Sequence, residues 1–481
     1  MELEQLLQKH FGYTTFRPGQ KEVIEQLMAG KDVVALLPTG MGKSLCYQLP
    51  GYIFNKPVLI VSPLLSLMQD QVDQMKQFGE KRVVALNSFL TPEQKRYALH
   101  FLHEYRFIFT SPEMLLQPQV KERLAQIDLS LIVADEAHCI SQWGFDFRPD
   151  YLRIGETIDA SNRPPLLALS ATATTTVLKD IEQYLKMSEP YQFIHDVDRP
   201  NIHLAKKFFQ HKEDKLDWMI EHVKKTEGPG IIYTQSRAKT ENISLMLLEQ
   251  GIAAAAYHAG KDAQDRQFIQ QQFIAGDLDW IIATNAFGMG VHKNNIRQVI
   301  HESMPATVAN YMQEIGRAGR DGKDSLVFLL YADGDEQFAK FIVTDDLPKA
   351  AHAHSYADMR ARRENPVNMI NAGEISETAF RVLHYWMQQE TLEEVKSRLL
   401  SMEIKKYEAV KAMMKIIETE GCMRALLVEH FGQILAYTPD NCCSGCGMDY
   451  DRLLRTRQQV QAPVTTISWQ TRLRQLLIQD V

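Results

Sequence analysis

The sequence predicts an α/β protein: two doubly wound parallel-sheet domains in succession, followed by a mostly helical, metal-binding region. Three observations carry that expectation. Short apolar runs that end in small or acidic residues alternate with helix-length stretches, as strands buried on both faces of a parallel sheet do. The alternation breaks at DVDRPNIHL (196–204), where Pro200 marks a boundary, and then begins again. Beyond about residue 340 the period becomes helical, and four of the six cysteines fall within the last sixty residues. The expected divisions are 1–205, 206–338 and 339–450, with a short basic tail over 451–481.

The elements can be justified in chain order. Residues 11–20, FGYTTFRPGQ, precede a helical pattern from Lys21 to Leu27. The Gln20 amide suits adenine, which offers an amino donor beside a ring-nitrogen acceptor; helix capping suits the segment equally well. KDVVALLPTGMGKSLCYQLP (31–50) then reads as strand, loop and helix. In that loop, Thr39, Gly40, Met41 and Gly42 present backbone amides to phosphate oxygens at a helix N-terminus. Lys43 follows for the outer phosphates and Ser44 for Mg²⁺. A standard phosphate loop has glycine five residues before Gly42, where this chain has Leu37. Buried strands ending in Ser62, in Thr110 and Ser111, and in Ser170 and Thr172 offer hydroxyls to a nucleic-acid backbone, or merely cap their own loops.

Residues 131–151, LIVADEAHCISQWGFDFRPDY, form the centre of the first domain. Ligands of open parallel sheets bind outside the carboxyl ends of the strands, where Asp135 and Glu136 fall. One carboxylate holds Mg²⁺ and its neighbour orients the attacking water; the bland alternative is a solvated turn. His138 follows, and then Trp143, Phe145 and Phe147 alternate with polar residues before Arg148. These rings either form a small core or stack on bases.

A second series follows: GIIYT (230–234), AAAAYHAG (253–260), WIIATNAFGMGVHK (280–293), QVIHESMP (298–305) and SLVFLLYADGD (325–335). Within it QEIGRAGRDG (313–322) brings Gln313, Arg317 and Arg320 among small residues. Three residues apart, the two arginines would share one face of a helix. Aimed at a nucleotide on the first domain, they would be arginine fingers; the flanking glycines argue against a plain surface ion pair.

Composition excludes little. With 45% hydrophobic and 23% charged residues there is ample core material. A net charge of −7 leaves nucleic-acid binding to local basic patches, such as Arg360, Arg362 and Arg363, or to Lys and Arg along 396–415. No secretory leader and no apolar run long enough for a membrane span is visible, so the expected compartment is the cytoplasm, at the nucleoid within it. Clustered cysteines in a reducing compartment point to metal rather than to disulfides.

In this order and spacing, PTGMGKSLCYQ, VSPLLSLMQDQV, DEAHCISQWGFDFRP, LSATAT, YHAG, ATNAFGMGVHK and QEIGRAGRDG resemble the RecQ family of superfamily 2 DNA helicases. The resemblance covers about residues 1–450 and fits a short bacterial member. It implies two RecA-like domains with ATP between them and a helical zinc-binding subdomain. It also implies 3′→5′ movement on single-stranded or forked DNA, in repair, recombination or fork maintenance. Arg17 and Gln20 would read adenine; His138, Trp143, Phe145, Phe147 and Arg148 would couple DNA to closure. Cys422, Cys442, Cys443 and Cys446 would hold Zn²⁺, with Asp449 competing for the place of Cys442. Asn285, His292, Met312 and Ile315 depart from the family pattern, without removing a catalytic group. The tail leaves no room for a winged helix or HRDC domain, which leads to an expectation of weak unwinding. A monomer is expected, with single-stranded-DNA-binding protein and repair factors as partners and no membrane. Two rivals stay open: the same machinery acting on RNA, and a DNA-binding scaffold that uses ATP only as a switch.

Overall fold

The computed structural model describes residues 3–63, 65–142, 149–157, 163–287 and 293–457. Seven strands build the first sheet: β1 Val33–Leu36, β2 Val58–Val61, β3 Val83–Leu86, β4 Phe107–Thr110, β5 Leu131–Ala134, β6 Leu166–Ser170 and β7 Tyr191–Ile194. Their order is β3-β4-β2-β5-β6-β1-β7, and every pairing is parallel. Alternate residues serve opposite faces, as the pleat requires. Val34, Leu36, Leu59 and Val61 enter one core, while Val33, Ala35, Val58 and Ile60 enter the other.

The sequence expectation accounts for five of these strands. β3 follows the charged run Glu80–Lys81–Arg82 and is only four residues long, too little for a period to register. β7 is an edge strand with half-exposed and exposed positions alternating, so it lacks the continuous apolar run of its neighbours.

The second sheet contains β8 Ile202–Phe209, β9 Gly230–Tyr233, β10 Ala254–Tyr257, β11 Trp280–Ala283, β12 Gln298–His301 and β13 Ser325–Ala332, all parallel in the order β10-β11-β9-β12-β13-β8. β8 pairs with β13 over eight residues, so a boundary at 205 would cut a strand of this sheet. The division lies upstream, in the linker 195–201 between β7 and β8.

The helical region is not a separate body. Helices Ala350–Ala361 and Glu377–Gln389 and the first half of the long helix Leu392–Glu418 share a core with Tyr151, Ile154 and Leu185 of the first domain. The second half, through Val410, Met413, Ile416 and Ile417, joins the core of the second domain together with the short helix Met423–His430. A capping box at Thr391 and Glu394 fixes the long helix's start.

Candidate nucleotide site and metal centre

β5, β6 and β1 lie side by side, so three chain exits line one edge of the first sheet: Asp135–Glu136, Ser170–Thr172 and the loop 38–42. Gly40 and Gly42 have φ of 88° and 74°, a left-handed backbone that admits glycine without strain. A side chain at either would crowd a neighbour. A Cβ on Gly42 would sit 2.9 Å from Gln20 Nε2, and one on Gly40 would sit 3.2 Å from Arg320 Cδ. Ser44 is the N-cap of the helix Leu45–Phe54, whose first amides open toward the loop.

Arg17 and Gln20 brace this loop. Gln20 Nε2 donates to the carbonyls of Met41 (2.9 Å) and Gly42 (3.1 Å), its Oε1 accepts from Arg17 N, and the Arg17 guanidinium donates to Gly40 O. Reading adenine would require exchanging those bonds for bonds to the base.

Glu136 is buried and Asp135 partly buried. Lys43 Nζ lies 3.1 Å from Glu136 Oε1. Glu136 Oε2 takes no hydrogen bond among the described residues, although His138 Nδ1 stands 3.4 Å away. Glu136 has φ of 48°, unusual for a side chain of this size and held by Ala137 N donating to Leu169 O. Burial, then the neighbouring Glu136 charge, pushes the Asp135 carboxyl up to about 6. For Glu136, burial pulls upward, but Lys43 and His138 outweigh it and hold the group below its ordinary value. Burial lowers the His138 imidazole; its Nδ1 lies 3.0 Å from Ser170 Oγ, which donates to Thr172 O. The acid pair is thus joined to the exit of β6.

The second domain closes over this edge. Thr39 Oγ1 donates to Gly316 O at 3.1 Å, directly after the helix Val308–Ile315. The Arg317 charge acts on Glu136, and Arg320 packs its side chain over Gly40. Burial, then Arg317, depresses the Arg320 guanidinium to about 10. Gln313 lines a cavity of about 40 Å³ with Pro38, Thr39, Ala171 and Thr172.

One expectation needs correcting. Arg317 and Arg320 are not on a helix: the helix ends at Ile315, and tight turns continue, with Arg317 N donating to Glu314 O and Ala318 N to Ile315 O. Gly319, with a left-handed φ of 54°, re-aims the chain before Arg320.

The four cysteines meet. Cys422 and Cys442 sulfurs are 3.6 Å apart, Cys443 and Cys446 3.6 Å, and Cys422 and Cys443 4.0 Å; all four lie within 4.8 Å of one another. Four thiolates on tetrahedral zinc, with Zn–S about 2.3 Å, require sulfurs about 3.8 Å apart, so the donor set fits. Asp449 is outside this group: its Oδ1 accepts from Arg452 N and its N donates to Asn441 Oδ1. Trp143, Phe145, Phe147, Arg148 and His292 lie outside the described residues. Arg360, Arg362 and Arg363 are exposed.

Sequence reasoning missed Arg424 and Gln433, which touch the interdomain linker, and Arg199 and Asn201, which touch the arginine loop. Only a polar residue two places after a cysteine ligand pointed toward the first of these.

Residues 17–181 match the DEAD/DEAH box helicase model and residues 212–322 the helicase conserved C-terminal domain model. The chain is 42% identical to the probable ATP-dependent DNA helicase RecS of Bacillus subtilis, over 93% of this chain and 92% of that one. It is 34% identical to the ATP-dependent DNA helicase RecQ of Haemophilus influenzae, over 92% of this chain but only 63% of the relative. Among solved structures, the DUF1998 helicase MrfA bound to DNA superposes with a TM-score of 0.58 at 20% identity, over 71% of this chain and 52% of that one. Yeast Dbp5 bound to RNA and ADP BeF3 gives 0.57 at 16%, over 71% and 90%. These two likenesses concern the fold alone.

Proposed function

The chain belongs to the RecQ family of helicases, and from that premise we propose that it is an ATP- and Mg²⁺-dependent DNA helicase, moving 3′→5′ on single-stranded DNA and separating duplexes. The observation that carries the reading is the convergence of Lys43, Asp135, Glu136 and the Arg317–Arg320 turn from two domains upon one phosphate loop. The loop amides and Lys43 cradle the phosphates of ATP. Ser44 and Asp135 would hold Mg²⁺, which neutralises charge on the transferring phosphoryl group. Glu136 Oε2, free of hydrogen bonds among the described residues, receives and orients the attacking water. Lys43 must leave Glu136 as it turns to phosphate, so substrate binding itself releases the base. Arg317 and Arg320, with Gln313 behind them, stabilise charge as the reaction proceeds; because they belong to the other domain, hydrolysis and closure become one event.

Zn²⁺ in the four-cysteine site would fix the loop 441–446 against β8, where Leu204 N donates to Cys442 O and Ser444 N to Leu204 O. His138 would pass DNA occupancy, sensed by Trp143, Phe145, Phe147 and Arg148, to the exit of β6 through Ser170. No helix among the described residues is long and apolar enough to cross a membrane. Action as a monomer on forked DNA in the cytoplasm, beside single-stranded-DNA-binding protein and repair factors, completes the reading.

The test compares steady-state ATP hydrolysis with single-stranded DNA, with RNA and without either, beside strand separation on 3′-tailed, 5′-tailed and forked duplexes. DNA-selective stimulation and 3′-tail dependence are expected. Equal stimulation by RNA would replace the substrate, and an inability to turn over more than once would replace the motor by a switch.

A further inference from the structure

Arg424, 2 % exposed, lies two residues after Cys422 and donates to four residues at once. Its Nε donates to Cys442 Sγ at 3.3 Å. Nη1 donates to Asp198 Oδ1 (2.5 Å) and Arg199 O (3.0 Å), and Nη2 to Ile202 O and Cys442 O. A buried guanidinium persists only when its charge and its N–H groups are matched in this way. Gln433 grips the same linker further upstream, accepting from Val197 N at 2.9 Å and donating to His195 O at 3.1 Å.

The linker in turn holds the arginine loop. Arg199 Nη2 donates to Gly319 O at 2.7 Å and Ala318 O at 3.4 Å, and Asn201 Nδ2 donates to Gly319 O at 2.8 Å and Lys323 O at 2.9 Å. Gly319 is boxed in: a Cβ there would lie 2.4 Å from Asn201 Nδ2. The next residue is Arg320, packed over Gly40. Direct contacts therefore run unbroken from the Cys442 sulfur through Arg424, the Arg199 backbone, the Arg199 side chain and Gly319 to Arg320 and the phosphate loop. Arg424 also lines the small cavity shared by Thr39, Thr172 and Gln313.

We propose that Arg424 and Arg199 are positioning residues that couple the metal centre to the arginine loop, so that metal binding and nucleotide binding reinforce each other. The proposal rests on the reading of Arg320 as a finger and of the cysteines as a zinc site. Coupling between sites is reciprocal: nucleotide that draws Arg320 inward must tighten the hold on metal by the same factor that metal tightens the hold on nucleotide.

The experiment uses the full zinc-loaded chain and follows zinc release into a chromogenic chelator, with and without Mg²⁺ and a non-hydrolysable ATP analogue. In the unaltered protein the analogue slows release by about fivefold or more, the lower end of usual coupling factors. Arg199→Ala, which leaves the cysteines and Arg424 in place, releases zinc at the unaltered rate without nucleotide but loses the slowing. Its affinity for the analogue falls by the same factor as the lost slowing, as reciprocity requires, and its kcat for ATP falls by roughly tenfold because Arg320 is no longer held in place. Arg199→Lys, which keeps one donor, restores part of both effects. If the alanine variant does not fold, Asn201→Ala removes the second donor to Gly319 O and must show the same pattern at smaller size. A nucleotide effect that is absent in the unaltered protein, or that survives in Arg199→Ala, overturns the relay. Arg320→Ala separates the two levels. If it hydrolyses ATP normally, the finger reading itself falls. If it is inactive while Arg199→Ala behaves as the unaltered protein does, only the relay falls.

Discussion

The cleft between the two sheets and the junction behind it are both made of buried charges, but they are recorded in the chain in opposite ways. In the cleft, Gly40, Gly42, Lys43 and Ser44 sit within five consecutive residues, and Asp135, Glu136 and His138 within four. Each of these two sets follows directly on one strand, β1 or β5. At the junction, Arg424 meets Asp198 across 226 residues, and Arg199 meets Gly319 across 120. No short word contains that arrangement; it exists only after two sheets and a helical layer have docked. The cleft is assembled from short words that the fold brings together, whereas at the junction single residues from distant parts of the chain meet one by one.

The comparison can be tested by breaking each region in turn. In the cleft, Glu136→Gln keeps size and loses charge, so ATP hydrolysis should fall by about 10²–10⁴-fold while binding of a fluorescent nucleotide persists. Near-normal turnover would remove Glu136 from its role and leave the cleft no more decisive than the junction. At the junction, metal analysis should find one zinc per chain, and Cys446→Ser should abolish it. The substitution should destabilise the protein by about 3–5 kcal/mol in thermal or denaturant unfolding, because structural metal binding is also folding free energy. Unchanged melting would mean that the junction stands without metal.

Trp143→Ala or Phe147→Ala addresses the cleft's link to DNA. Each lost base–ring stack is worth about 1–3 kcal/mol, so stimulation of hydrolysis by single-stranded DNA should drop while the DNA-free rate is retained. Early unfolding of either variant would show that the rings are core. The smallest effect is expected from Gln433→Ala. Two hydrogen bonds to the linker are lost with the helix Met423–His430 and the cysteines untouched, for about 1–2 kcal/mol of stability and no change in the KM for ATP. A rise in that KM would place the linker's clamp inside the nucleotide site and erase the distinction.

How much was legible follows from the same contrast. The β–loop–helix around Lys43 and the strand before Asp135 announce themselves by apolar runs meeting glycine or acid. β3 and β7 do not, being short beside a charged run or lying at an edge. Helical spacing suggested one face for Arg317 and Arg320, but helical geometry stops at Ile315, and the left-handed Gly319 sets where Arg320 goes. The cysteine cluster was legible because sulfur is rare and grouped. Arg424 was not, because an arginine two residues on looks like any solvated charge until the Asp198 carboxylate and three carbonyls are seen around it.

The long helix Leu392–Glu418 places a mechanical condition on any stroke. Its 27 residues make a rod of about 40 Å, and a hydrogen-bonded helix scarcely stretches. Val395, Leu399 and Met402 anchor one end in the core of the first domain, and Val410, Met413, Ile416 and Ile417 anchor the other in the core of the second. The lobes therefore cannot separate along that axis without extracting buried side chains. Rolling a lobe about the axis would drag the same side chains across their packing, because they project sideways from the helix. Any movement between the lobes must carry this helix with it or bend it. A helix-breaking proline at the exposed Lys405, near the middle of that rod, would remove the rigid tie between the two cores.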